Sequence, residues 1–97
     1  MIHEFLALYR VKEKLVGDMP EAQWRMLLDL AANGPLDTTA LSYGSGVPAT
    51  TSLRHLGLLV RNGWAERTGD PTDRRKTIYC LTPAARRLFV IGIRRAA

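Results

Sequence analysis

The charged side chains best placed to bind another molecule lie between two short runs that are typical of β-strands. Residues 64–68 and 77–81 contain aromatic, Thr and Ile side chains, and the turn signal Gly69-Asp70-Pro71 follows the first run. The segment between them carries five charged side chains, Asp70, Asp73, Arg74, Arg75 and Lys76. Guanidinium and ammonium groups donate hydrogen bonds to phosphate and carboxylate oxygens. The pattern predicts a hairpin with an anion-binding tip, and a solvated charged turn is the alternative.

A second set of polar side chains lies just upstream, in residues 48–62. Five apolar residues recur there at helical spacing, namely Ala49, Leu53, Leu56, Leu59 and Val60. The polar residues between them include Thr50, Thr51, Arg54 and His55. We therefore expect a helix with one face in the core and a polar face that can hydrogen-bond to a partner. A merely solvated polar face is the alternative.

The rest of the chain supplies the helices that must position these segments. Apolar residues recur at helical spacing in residues 2–16, and Gly17 ends that run. Asp18 and Glu21 then form a D-x-x-E capping pattern, which predicts the start of a second helix that continues to Asn33.

Two further helices are predicted from their start signals. Asp37 or Thr38 can cap a short helix that continues to about residue 43, and residues 44–46 form a Gly-containing turn into the helix at 48–62. After the hairpin, Thr82 as N-cap and Pro83 as first helical residue begin a last helix.

The predicted fold is mainly α with a small β-hairpin, about five helices with a two- or three-stranded sheet. Two helices joined by a short Gly-containing turn are a helix-turn-helix candidate, and the hairpin adds a wing, residues 67–77. A length of 97 residues fits one domain. We expect a single unit over residues 1–97, with an N-terminal helix (1–17), a winged helix-turn-helix core (18–82) and a C-terminal helix (83–97).

Positive charge is concentrated in the second half of the chain. Residues 1–53 carry four Lys or Arg and six Asp or Glu, whereas residues 54–97 carry ten and three. The basic half holds both the polar helix and the wing. This distribution favours an anionic partner such as double-stranded DNA.

An enzyme is not expected, because His3 and His55 have no paired acid or nucleophile at a recognisable spacing. No Gly-rich phosphate loop or metal-ligand cluster occurs, so no cofactor and no metal are predicted. One cysteine, Cys80, excludes a disulfide within the chain. No apolar run approaches the roughly 20 residues of a membrane span, and no secretory pattern opens the sequence. We expect a cytoplasmic protein without a membrane partner.

The order of elements resembles the MarR family of winged-helix transcriptional regulators. Five segments carry the resemblance: Gln23-Trp24 with Leu27-Leu28, Leu59 through Gly63, Glu66-Arg67, Asp70-Pro71-x-Asp73-Arg74-Arg75, and Leu81-Thr82-Pro83. Together they cover about residues 20 to 90. The string D-P-x-D-R-R-x(5)-L-T-P is fairly specific, whereas the helix-turn-helix part alone is a weak signal.

The resemblance implies a DNA-binding transcriptional regulator that acts as a homodimer. Its recognition helix, about residues 48–62, would enter the major groove, and the basic wing would enter the minor groove. Within the wing, the resemblance assigns Arg75 to the minor groove and gives Asp73 the task of holding the Arg75 guanidinium. It leaves open whether a small-molecule effector binds.

The residue types suit these roles. Arg54 can donate two hydrogen bonds to guanine, and Thr50 and Thr51 can bond to phosphate or contact a thymine methyl. His55 is a weaker candidate, since a lone His is more often an exposed or internally bonded residue. The remaining wing cations, Arg74 and Lys76, would follow phosphates.

Other uses of the same residues stay open. A winged helix can serve as a protein-interaction module or accessory subunit without sequence-specific DNA binding, although such a module has no need for a cationic wing. The terminal helices can bury their apolar faces against the domain or against a second copy. Tyr9, Trp24 and Tyr43 could line a pocket for an aromatic ligand, but aromatic residues at helical positions usually form core.

Overall fold

The computed structural model of the protein describes residue 10 and residues 12–96, with side chains as far as Ile91. Eight elements follow one another: α1 (12–16), α2 (Glu21–Asn33), β1 (Leu36–Asp37), α3 (Thr38–Ser45), α4 (Ala49–Arg61), β2 (Ala65–Gly69), β3 (Thr77–Leu81) and α5 (Pro83–Ala96). The predicted class, mainly α with a small sheet, is confirmed. The first nine residues of the predicted N-terminal helix lie outside the described residues.

The core is built around α2, which packs against α3, α4 and the sheet. Met26, Leu27 and Leu30 of this helix are buried, as are Leu56 and Leu59 of α4. Each fully buried aliphatic side chain stabilises the fold by about 1.5–3 kcal/mol. This shared core holds α3 and α4 in a fixed relation to the hairpin.

The sheet has the order β1-β3-β2, and both pairings are antiparallel. Glu66 lies opposite Cys80, and Gly69 lies opposite Thr77, so the hairpin closes around residues 70–76. The third strand, β1, has only two residues and pairs Leu36 with Tyr79. It attaches the start of α3 to the base of the wing.

Two of the predicted helix caps are present. Asp37 caps α3, with its Oδ1 accepting a hydrogen bond from the Ala40 amide at 2.8 Å. Thr82 caps α5 by accepting from the Ala85 amide at 3.1 Å. The Thr82 hydroxyl also donates to the Gly63 carbonyl at 2.8 Å, which joins the end of the α4 segment to the start of α5.

The predicted D-x-x-E cap of α2 is wrong. The helix begins after Pro20, which has extended backbone angles and makes no side-chain cap bond. Glu21 instead accepts a hydrogen bond from Lys12 Nζ at 2.6 Å, and this bond lowers the pKa of Glu21. The carboxylate therefore connects α2 to α1 and is not folded back onto the start of α2.

The apolar stripe of α4 also differs from the prediction. Its buried residues are Ser52, Leu56 and Leu59, whereas Leu53 is 62% exposed. Residues 52, 56 and 59 recur at the spacing of one helix face, and Leu53 lies about 100° around the helix from Ser52. A buried serine thus occupies the place in the stripe that we expected for a leucine.

Candidate nucleic-acid interface

The turn between α3 and α4 is held by serine hydroxyls. Gly46 ends α3 in the left-handed region, with φ 74°, and the next residue, Val47, is buried. Ser42 Oγ donates to the Val47 carbonyl at 2.6 Å, and Ser52 Oγ donates to the Pro48 carbonyl at 2.9 Å. These bonds connect the turn residues Val47 and Pro48 to α3 and α4.

This turn is displaced from the predicted one. Gly44 and Ser45 belong to the last turn of α3, and only Gly46 leaves the helix. The Ser45 hydroxyl donates to the Leu41 carbonyl and accepts from the Val47 amide at 3.3 Å, so its hydrogen bonds connect the end of α3 to the turn. Sequence reasoning missed this role of the serines, and their clustering at 42, 45 and 52 is the signal that could have shown it.

The first half of α4 projects an outward strip, which consists of the exposed residues Ala49, Thr50, Leu53 and Arg54. Two of the predicted contact residues, Thr50 and Arg54, belong to this strip. Gly57 lies one turn farther along the same side, and a Cβ added there would meet nothing within 4 Å.

The other two predicted contact residues of α4 are engaged with the protein itself. Thr51 is half-buried, and its hydroxyl donates to the Pro48 carbonyl at 3.2 Å. His55 is half-buried, and its Nδ1 lies 3.2 Å from Nε2 of Gln23 in α2. The structure therefore brings Thr50 and Arg54 together on the outer side, whereas Thr51 and His55 are half-buried and bonded to groups of the protein.

The N-terminus of α4 has no side-chain cap, because Pro48 occupies the N-cap position. The Thr51 and Ser52 amides both bond to the Pro48 carbonyl at 3.0 Å. The earliest amides of a helix have no partner within it, and they carry the positive end of the helix dipole. This end of α4 is suited to a phosphate oxygen.

At the wing tip, Asp73 holds Arg75 in two ways. Its Oδ1 accepts a hydrogen bond from the Arg75 amide at 3.0 Å and another from Arg75 Nε at 3.3 Å. The Arg75 side chain remains 92% exposed. The contact that the resemblance implied is thus present, and it orients an arginine that projects into solvent.

A second acidic residue orders the other side of the tip. Asp70 Oδ1 accepts from the Thr72 amide at 2.8 Å and from the Thr72 hydroxyl at 2.7 Å. These bonds, the backbone bond first, hold the pKa of Asp70 below its ordinary value. The Asp70 amide donates to the Lys76 carbonyl at 3.1 Å and closes the turn.

The remaining wing cations differ in their surroundings. Arg74 is exposed, whereas Lys76 Nζ lies 3.9 Å from Oδ2 of Asp37, the residue that caps α3. The Lys76 side chain therefore lies on the side of the wing that faces the start of α3. From α4 through the wing, residues 49–77 carry six Lys or Arg and three Asp or Glu.

The aromatic residues do not form the pocket that we considered. Trp24 is buried and stacks on Phe89 with ring centroids 5.6 Å apart, whereas Tyr43 is 92% exposed on α3. Tyr9 lies outside the described residues. Trp64 is half-buried and packs edge-on against Phe89 at 6.5 Å, so it lies against the core.

In the part of the chain that the structure describes, no group of three His, Cys, Asp or Glu side chains could hold a metal ion. None of the described helices has the length and apolar character needed to cross a bilayer.

A helix pair with a buried turn, followed by an antiparallel hairpin with a cationic tip, defines a winged helix-turn-helix protein. The family model described as "MarR family" matches residues 17–76. The chain belongs to the MarR family. A search of curated protein sequences finds no match.

Solved structures have the same fold. The transcriptional regulator Tm0710 from Thermotoga maritima is 28% identical with a TM-score of 0.80, covering 95% of this chain and 66% of that one. RV1404 from Mycobacterium tuberculosis is 22% identical with a TM-score of 0.81, covering 98% and 64%. A mutant MarR from E. coli complexed with operator DNA is 22% identical with a TM-score of 0.73, covering 96% and 64%. The chain spans about two thirds of the length of these proteins.

Proposed function

We propose that the chain binds double-stranded DNA as a transcriptional regulator, with α4 in the major groove and the wing in the minor groove. The observation that carries the proposal is the pair Asp73 and Arg75, in which an exposed guanidinium is oriented before any partner arrives. An oriented arginine loses less freedom on insertion, and a narrow minor groove concentrates negative potential.

The geometry of α4 supports the major-groove assignment. Base edges are read by the N-terminal part of a recognition helix, and this is the part of α4 that carries the outward strip. Arg54 is proposed to bond to guanine, and Thr50 to phosphate or a thymine methyl. Thr51 and His55 are proposed to contact DNA only at the edge of the interface, because each already bonds to a group of the protein.

Phosphate contacts are proposed for Arg74, for Lys76 and for the uncapped start of α4. Arg74 is exposed and needs no rearrangement. Lys76 would give up its 3.9 Å contact with Asp37, and exposed ion pairs of this kind stabilise a protein by only about 0–1 kcal/mol. The DNA-bound MarR from E. coli, which shares the fold, supports a nucleic-acid partner.

A homodimer is proposed from the exposed side of α5. Ala85 and Phe89 of this helix pack into the core, whereas Leu88, Val90 and Ile91 are each 45–47% exposed. A second copy would bury this apolar face, and a dimer would match a palindromic DNA site. The proposed unit is one domain over residues 1–97, acting in the cytoplasm.

The proposed function is tested by selecting bound sequences from a random DNA pool. We expect a palindromic site, and Arg75→Ala should weaken binding by about 1.5–3 kcal/mol, most strongly where the flanks are rich in A·T. Lys14→Ala, which removes one exposed positive charge from α1, is the control. If no sequence is enriched and binding to random DNA is also absent, the chain is an interaction module and the proposal is wrong.

The dimer is tested separately by sedimentation of Ile91→Glu and the unmodified chain at micromolar concentration. The glutamate would place a charge in the apolar face, so the variant should sediment as a monomer. A clean monomer for the unmodified chain would rule out the dimer.

A further inference from the structure

Leu53 is a large apolar side chain in an otherwise small or polar strip. It is 62% exposed, with Thr50 one turn before it, Arg54 beside it and Gly57 one turn after it. The other large apolar side chains that the structure describes as exposed lie on α3 and α5, namely Tyr43, Leu88, Val90 and Ile91. Leu53 is thus the exposed large hydrophobic residue of α4, a helix that the structure describes over its whole length.

The fold does not use Leu53 for packing. The buried stripe of α4 is formed by Ser52, Leu56 and Leu59, and Leu53 does not belong to the core or to the residues packed against it. A single exposed leucine is ordinary on a protein surface. Leu53, however, lies beside Arg54 on the part of α4 that would enter the major groove. A side chain at this position would contact the edge of a base pair.

We infer that Leu53 contacts the C5 methyl group of a thymine in the major groove and so determines a base preference. This inference rests on the proposed function and deepens it. The thymine methyl is the apolar group that an unmodified base pair presents in the major groove. Guanine presents two acceptors there and cytosine a donor, and a leucine would remove them from water without offering a hydrogen bond.

The position of Leu53 also limits where the thymine lies. Leu53 and Arg54 are consecutive residues of one helix, about 100° apart around its axis. Their contacts therefore fall on neighbouring base pairs. The selected half-site should contain a T·A pair next to the guanine that Arg54 contacts.

The test uses the sequence that the unmodified chain selects from a random pool. Each thymine of one half-site is replaced in turn by uracil, which removes only the methyl group. One replacement should weaken binding about fourfold, equivalent to about 0.8 kcal/mol for one buried apolar carbon. Leu53→Ala should bind the thymine and uracil forms of that position equally well.

Tyr43→Ala is the matched control, since it removes another exposed large side chain from the helix-turn-helix. It should keep the fourfold preference for thymine at that position. The inference is overturned if no uracil replacement matters, if the selected half-site lacks thymine beside the guanine, or if Leu53→Ala keeps the methyl preference. If the unmodified chain binds no DNA, the proposed function itself fails, and the two failures are therefore distinguishable.

Discussion

The outward strip of α4 and the wing tip are both candidate contact surfaces, but the protein holds them in different ways. The strip is positioned by distant packing, because Leu56 and Leu59 on the other side of α4 are fully buried in the shared core. The wing tip is positioned by its own residues, since Asp70 and Asp73 bond to groups within six residues of themselves. The position of the strip therefore depends on the packing of the whole fold. The conformation of the wing tip depends on hydrogen bonds between residues that are close in the sequence.

Breaking the core under α4 should have the largest effect. Leu56→Ala should lower the free energy of unfolding by about 2–5 kcal/mol, because it removes a fully buried side chain and leaves a cavity. Leu53→Ala, three residues away but exposed, should change it by less than about 0.5 kcal/mol. Urea denaturation followed by circular dichroism measures both. Equal losses would mean that Leu53 also packs in the folded protein.

A second experiment compares base reading at the strip with phosphate binding at the wing. Arg54→Ala should cost about 1–3 kcal/mol at the selected site and relax preference at one base pair. Arg74→Ala should weaken selected and random DNA alike and lower the magnitude of the salt slope by about 1, as expected for one fewer phosphate contact.

Titrations against selected and scrambled DNA at several salt concentrations separate the two patterns. The structure suggests a smaller effect for Lys76→Ala than for Arg74→Ala, because Lys76 must leave Asp37 first. If Arg54→Ala lowers affinity equally for both DNAs, Arg54 is a phosphate contact. Base reading would then have to come from Thr50 or Leu53.

The difference between the two regions also explains what could be predicted from the sequence. The hairpin strands and the Asp73–Arg75 contact depend on neighbours in the chain, and the strand limits agree with the prediction to within one residue. The assignment of Leu53 to the core was wrong, because burial on α4 is decided by how the helix is rotated against α2. Leu56 and Leu59 set that rotation by packing in the shared core, and Ser52 lies on their side of α4, where its hydroxyl bonds to the Val47 and Pro48 carbonyls.

The same limit applies to other residues of the candidate site. His55 bonds to Gln23, which is 32 residues away in the sequence, so its orientation was not visible in the local pattern. Tyr43 was expected in the core or in a pocket, yet it lies on the outer side of α3. Local sequence signals predicted which segments form helices. Which side of each helix is buried could be seen only in the tertiary structure.

A substitution at Gly57 can separate an effect on the stability of the protein from an effect on how closely DNA approaches the strip. Its Cβ position is empty space, so Gly57→Ala should raise the free energy of unfolding by roughly 0.5–1 kcal/mol through the better helix propensity of alanine. If DNA approaches the strip closely, the added methyl should weaken binding to the selected site although the fold is more stable. Denaturation and binding titrations check the two effects. Greater stability with unchanged affinity would place Gly57 outside the interface.

The smallest expected effect concerns Asp70 at the wing tip. Its pKa is lowered in the folded chain by the bonds from Thr72, so the ordered turn is favoured while the carboxylate is charged. The stabilisation is fully present above the ordinary aspartate value of 3.8 and is lost as pH falls below it through the lowered pKa.

Thr72→Val removes the hydroxyl bond and should move the pKa of Asp70 back towards its ordinary value. Carbon-detected NMR titration of the Asp70 carboxyl measures the change, with Thr68→Val as the control. The Thr68 hydroxyl bonds to the Gly69 carbonyl and not to Asp70, so this variant should leave the Asp70 titration unchanged. An unaltered titration in Thr72→Val would show that the backbone bond alone lowers the pKa and that the hydroxyl does not help to order the wing.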